Sequence, residues 1–341
     1  MKSLKDYSMN LPEQEYHDYP AWSHSLIARY AREGFSAIAT IHDKVKTTSA
    51  MEFGSLFDSI LTRGKDTLNE YVVDDTTAPP AETAVFDRLL SEGHNEPFNE
   101  ISISDLMTAM EACKFYPSFK PETRIEKLNK ASEYYNVRRL GKKIVSKEDW
   151  NDAIEMAHVF RDDKYLSVLF GTKNTKEIEY IYQPQFLVDW DIEGEKVEVK
   201  VMFDLLVVNH KDKTIQPVDL KTSQNPAYSF SENFIKWRYD LEAETYTDVL
   251  ARLIDTKATE YQDYTILPYL FTDISRTDKV PVTYMYDPRN GFAYTKGDKT
   301  YQYKGWKELL AEILVYEANE AKVPNYITTE GPNDLIEILS R

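Results

Sequence analysis

The sequence predicts a mixed α/β domain carrying an N-terminal helical elaboration, on three observations. Residues up to about 165 show helical periodicity broken repeatedly by proline. Near residue 177 the texture changes to β-branched and aromatic residues punctuated by turn signals. Helical and strand patterns then alternate towards the C-terminus. The chain has 341 residues, 42% hydrophobic and 13% aromatic, which supplies a substantial core and excludes wholesale disorder. The change of texture divides it into a helical region, 1–165, and an α/β core, 166–341, expected to form one compact unit.

The opening tract to about Pro20 is polar and reads as extended. Trp22 to Gly34 reads as a helix, with Ser23 or Ser25 available as cap and Gly34 as its stop. From about 49 to 62, Met51, Phe53, Leu56, Phe57, Ile60 and Leu61 form a wide apolar stripe at near-helical spacing. The stretch from 80 to 165 is helical and charged, interrupted at Pro79-Pro80, Pro97, Pro117 and Pro121. Ser146 and Asp149 have capping-box spacing, so a long helix is expected from Lys147 to Arg161.

Turn signals at Glu193-Gly194 and His210–Lys213 divide the next segment into three expected strands, about 178–191, 196–208 and 214–220. A helix is expected over about 231–253, then two strands in TILPYLFTD and VPVTYMYD, then a helix near 303–321.

Composition removes several function classes. With 41 Lys+Arg against 57 Asp+Glu the formal charge is −16, which argues against a polybasic nucleic-acid coat. The single cysteine, Cys113, rules out an internal disulfide, a four-cysteine zinc site and a four-cysteine iron–sulfur cluster, and is expected to be a small buried hydrophobe. No signal core or membrane-length apolar run occurs, so a cytoplasmic protein without membrane contact is expected. Phosphate-cradling glycine loops, dinucleotide fingerprints, nucleophile elbows and paired-histidine metal spacings are missing from the sequence.

The informative residues are Asp204, Asp219 and Lys221. Asp204 interrupts the apolar run Phe203–Val208, and an acid inside an apolar strand is costly unless paired or bound to metal. In Asp219-Leu220-Lys221 the two charged side chains leave the same face of an extended chain. Antiparallel pairing across the turn at 209–213 would set Asp204 beside Asp219. Two carboxylates and an ammonium would then converge, a hard-oxygen arrangement suited to Mg²⁺ or Mn²⁺. A buried Asp–Lys ion pair explains the same three residues equally well.

This pattern, an Asp followed by Asp-Leu-Lys-Thr and an aromatic helix, resembles the PD-(D/E)xK nucleases, and most the RecB-like and RecE-like phage-type exonucleases. The likeness spans roughly 20–320 and is most specific at Asp204 with DLKTS. It implies a restriction-endonuclease-like core, with Asp204 and Asp219 as metal ligands and Lys221 as the catalytic lysine. Gly54–Leu61 (GSLFDSIL) resembles the family's upstream G-x-x-x-H helix, with Asp58 in the place of histidine as a metal ligand. Trp237–Tyr246 resembles its Q-x-x-x-Y helix, with Glu242 in the place of Gln, and Tyr246 matching. Where members carry an upstream Glu, this chain has Gln183 or Gln185, with Glu179 nearby; Gln185 is the candidate ligand.

Thr222, Ser223, Lys200, Arg238, Glu242 and Tyr246 are the expected substrate-binding residues. What the resemblance implies is a Mg²⁺-dependent DNA exonuclease, Mn²⁺ substituting, acting on linear duplex ends in phage recombination or replication. It also implies a homo-oligomer, a single-strand annealing partner and, for a phage protein, the host cytoplasm. The three departures from the family pattern motivate one alternative, a catalytically weak DNA-binding or assembly protein. A structure-selective endonuclease is the other.

Overall fold

The structure, a computed structural model, describes residues 2–43, 47–296 and 298–318. It is mixed α/β, as expected, but its compact units do not divide at 165. One unit comprises Met1–Met51 with Val159–Arg341, and the other is Glu52–His158. The N-terminal segment joins the α/β unit for a concrete reason: its backbone is stitched to the sheet region. Met9 N–H donates to the Gln185 carbonyl, Trp22 N–H to the Glu198 carbonyl, and Lys200 N–H to the Trp22 carbonyl. Leu4, Ile27 and Ile41 are buried in the same core as Phe186, Val199 and Leu250.

The Glu52–His158 unit is chiefly helical, around a core that includes Phe86, Leu89, Phe98, Met110 and Tyr135. Pro80 and Pro121, read from the sequence as interruptions, stand in the first turns of helices Pro80–Ser91 and Pro121–Lys130, where a missing N–H costs nothing. Asp149 N–H donates to Ser146 Oγ at 3.0 Å, capping the helix Lys147–Asp162. Cys113 is partly buried against this core.

In the α/β unit the helix α1 (His24–Glu33) ends at Gly34, whose φ of 63° needs no Cβ. The three expected strands are five: β1 (Ile178–Tyr182), β2 (Gln185–Ile192), β3 (Glu195–Met202), β4 (Leu205–Asn209) and β5 (Thr214–Ser223). Both long strands break at the same level. Gln183, at φ 50°, leaves the extended conformation, and Asp204 bends opposite it. The breaks are bonded to each other, Gln183 N–H to the Asp204 carbonyl at 3.0 Å and Phe203 N–H to the Pro184 carbonyl at 3.1 Å. Beyond them β2 and β3 continue as a separate two-stranded sheet.

The main sheet has six strands, in the order β8-β7-β5-β4-β1, with β6 also beside β5. Here β6 is Thr265–Ile266, β7 is Tyr269–Ser275 and β8 is Pro281–Tyr286. All pairs on that path are antiparallel except β5–β7, which is parallel and needs a crossover. Helices α2 (Phe230–Trp237) and α3 (Tyr239–Thr256) supply it. The sequence predicts one helix here; Arg238 breaks it at φ 58°. The buried face of α3 presents Leu241, Val249, Leu250 and Leu253 to the core. The last helix, α4, runs Trp306–Ala318; the end expected near 321 lies outside the described residues. Among the described residues no helix is long and apolar enough to cross a membrane.

Candidate active site

Register brings the aspartates together. Leu205 pairs with Val218 in the β4–β5 ladder, so one step further Asp204 stands opposite Asp219. The kink at Asp204 turns its carboxylate back onto β5, where Oδ2 accepts the Leu220 N–H at 2.7 Å. Asp219 is buried, and Lys221 leaves the same face of β5 two residues on.

Lys221 Nζ lies 2.8 Å from Asp219 Oδ2, and donates to Glu242 Oε1 and Oε2 at 3.1 and 2.9 Å. The contact to Asp219 is ionic, off the line of a hydrogen bond, and Oδ2 is buried with no donor aligned on it. The Tyr239 ring lies 4.5 Å from the ammonium and the Phe271 ring 5.9 Å. Glu242 comes from the first turn of α3 and is buried.

Three carboxylates therefore face one ammonium, an excess of two negative charges when all are ionised. Burial, then the charge of Asp219, push the Asp204 carboxyl up to about 7. Burial and Glu242 push Asp219 well above the carboxylate range. Burial opposes the charge of Lys221, yet Asp219 and Glu242 outweigh it and hold the ammonium firmly protonated. These shifts are the expected response of a cluster with surplus negative charge in a dry site.

The structure adds three residues that the sequence did not single out. His24, at the start of α1, sets Nε2 3.8 Å from Glu242 Oε2, and its ring packs edge-on to Tyr246 at 5.2 Å. Burial, then Lys221 and Arg32, push its imidazole down to about 3, so it is neutral and meets Glu242 as a dipole. Tyr269, fully buried on β7, has a hydroxyl with no hydrogen-bond partner; burial first, then the charge of Asp219, push its pKa up. Asp273 pairs in parallel register with Lys221 and accepts from Ser223 Oγ at 3.3 Å. Asp273 carried the signal used for Asp204, an acid in an apolar strand. For His24 no local pattern was available, because helix packing alone brings it here.

Other expected residues are engaged elsewhere. Gln185 is buried, with Oε1 accepting the Leu11 N–H and Nε2 donating to the Leu11 carbonyl, both at 2.9 Å. Its amide thus anchors the N-terminal segment, which leaves no oxygen aimed at a cation. Glu179 serves Ser3 and His210. Lys200 is buried and donates to the carbonyls of Tyr16, His17 and Tyr19 at 2.6, 3.0 and 2.7 Å, so it ties down backbone rather than facing phosphate. Arg238 is buried in an ion pair with Asp240 at 2.9 Å and donates to the Lys304 carbonyl, which likewise removes it from a substrate surface.

Thr222 projects from the face of β5 opposite Lys221, whereas Ser223 shares the face of Lys221. Tyr246 is buried between His24, Phe203 and Tyr269, a packing role. Asp58 stands half-buried on the helix Ser49–Arg63 of the other unit, and its metal role is carried by the sequence resemblance alone.

The donor chemistry at Asp204 and Asp219 fits a hard divalent cation. It is all carboxylate oxygen and over-charged, with Asp219 Oδ2 held by its ion pair to Lys221. Among the described residues no group of three or more His, Cys, Asp or Glu side chains is placed to hold a metal ion, so a cation here would rest on two carboxylates.

No family model matches the chain. No curated protein matches it. Among solved structures, the one titled "Crystal structure of SSO0001" aligns with 69% of this chain and 84% of that chain, at 12% identity and a TM-score of 0.27.

Proposed function

We propose that the protein is a metal-dependent DNA exonuclease of the PD-(D/E)xK type, built on a restriction-endonuclease-like core, that hydrolyses phosphodiester bonds of linear duplex DNA. One observation carries the reading: Asp204 and Asp219 stand opposite each other in register with Lys221 on the same face. A structural ion pair needs one carboxylate for one ammonium. This site sets three against one, Asp219 and Glu242 buried and Asp204 partly so, an arrangement that costs stability unless a cation binds or a carboxyl takes up a proton.

Asp204 and Asp219 would hold a Mg²⁺ or Mn²⁺, which supplies Lewis-acid polarisation of the phosphate and a more acidic water. The Leu220 N–H, donated to one oxygen of Asp204, fixes the rotamer of that carboxylate beside Asp219. Lys221, kept protonated by its neighbours, positions a water and offsets negative charge developing on the scissile phosphate. Tyr239 and Phe271 cover part of the ammonium, which limits its exposure to bulk water and strengthens that interaction.

A second reading, a DNA-binding protein of weak activity, is favoured by a specific contact. Both oxygens of Glu242 engage Lys221, and Glu242 stands where the resembling family has the neutral Gln. The test compares degradation of linear duplex DNA with and without Mg²⁺ by the wild type and Lys221→Ala. The nuclease reading expects Mg²⁺-dependent loss of DNA by the wild type only. Equal degradation by both proteins, or by neither, overturns it. Cutting of covalently closed circles would move the assignment to an endonuclease.

A further inference from the structure

The rim of this site carries an exposed aromatic that the proposed chemistry does not use. Trp237 ends α2 at the Arg238 break and is 43% exposed, an unusual setting for the largest apolar side chain. Two cations sit on its indole: the Arg32 guanidinium at 5.4 Å and Lys236 Nζ at 4.9 Å from the ring. Among the described residues neither cation makes a salt bridge; Glu33 is bridged to Arg29, and only its charge acts on Arg32. In a chain of net charge −16, an exposed indole flanked by two cations without a salt-bridge partner is a local exception.

This patch is tied to the Lys221 cluster by two elements. Arg32 lies on α1, the helix whose first residue is His24, so the two side chains are separated by about 12 Å along the axis at about 1.5 Å per residue. Tyr239, two residues after Trp237, lies against Lys221. Along a stacked strand at about 3.4 Å per base, that distance spans about three to four nucleotides.

We infer that Trp237 is a stacking platform for an unpaired nucleobase of the strand entering the Lys221 site, with Arg32 and Lys236 binding the phosphates on either side. The inference rests on the nuclease reading and adds to it the state of the substrate: an end with unpaired nucleotides is preferred to a blunt one. Charge complementarity selects this occupant, since an apolar partner would leave both cations without a counter-charge.

The experiment measures binding of the full chain, with Ca²⁺ present, to a single-stranded oligothymidylate and to a blunt duplex, by fluorescence anisotropy. Trp237→Ala is expected to weaken single-strand binding about tenfold or more, and Trp237→Phe to retain most of it, because stacking needs only a ring. Blunt-duplex affinity should change less. The double variant Arg32→Gln/Lys236→Gln is expected to flatten the salt dependence of single-strand binding, at about 0.7 per lost phosphate contact. Unchanged single-strand affinity in Trp237→Ala, with the double variant keeping the wild-type salt slope, overturns the platform. Hydrolysis by Lys221→Ala is scored separately. Its persistence defeats the nuclease reading while leaving the binding result legible, and the reverse pattern defeats the platform alone.

Discussion

Lys200, buried, and Lys221, partly buried in the same unit, show what different surroundings do to the same side chain. Lys200, on β3, gives its three N–H donors to three backbone carbonyls, and burial pulls its pKa down. Lys221, on β5, faces two carboxylates with a third close by, and its pKa is driven up. The first ammonium is fully used by the fold, and neutral dipoles ask for nothing more. The second lies in a cluster whose negative charge it cannot balance. Burial alone therefore does not distinguish a structural cation from a chemical one; the charge left over around it does.

That contrast can be broken most directly at Lys221. Lys221→Ala should lower Mg²⁺-dependent hydrolysis by at least about a hundredfold, the usual effect of deleting one electrostatic stabiliser, while circular dichroism keeps the native signal. Lys200→Met should do the opposite. Stranding three carbonyls should cost about 2–4 kcal/mol in urea unfolding, with Mg²⁺-induced stabilisation preserved in the protein that remains folded. A Lys200 variant that loses hydrolysis at full stability would erase the distinction.

A smaller effect sharpens it through pH. Asp204 titrates at about 7 in the folded chain against an ordinary 3.8, burial being the main cause. A carboxyl raised on folding subtracts stability once pH passes the unfolded value, and the loss is complete above the folded one. In metal-free protein Asp204→Asn should therefore raise the melting temperature by a few degrees above pH 7, and the gain should vanish near pH 4. Saturating Mg²⁺ should raise the wild-type melting temperature and leave the Asp204→Asn/Asp219→Asn double variant unmoved. The smallest change is expected at Gln185. Replacement by Ala should cost about 1 kcal/mol through the lost Leu11 contacts, with no change in the Mg²⁺ shift. A lost Mg²⁺ shift would return Gln185 to the metal site.

How far the sequence could be read follows from the range of each interaction. Helices at 24–33, 49–63 and 147–162 were legible because apolar spacing, the Gly34 stop and the Ser146 cap are local, although Ser23 makes no capping hydrogen bond. The pairing of Asp204 with Asp219 was legible because one tight turn sets its register. The split at Gln183-Pro184 and Phe203-Asp204 was not, since alternation continues through it and only the cross-strand bonds reveal the bend. Lys200 and Arg238 read as available cations because charge is visible in a sequence and burial of a charge is not. His24 was missed for the converse reason: two helices far apart in sequence, α1 and α3, must pack together before it meets Glu242.

The parallel pairing of β5 with β7 also has a consequence in time. β4 and β5 can close as a hairpin soon after both are made, but β7 is synthesised only after the whole α2–α3 crossover. A nascent chain that ends before Tyr269 carries Asp219 and Lys221 on a strand with one edge bare, and without the ring of Phe271 beside the ammonium. The site is thus completed late in translation, and premature termination between Ser223 and Tyr269 should yield an adhesive fragment with an incomplete site.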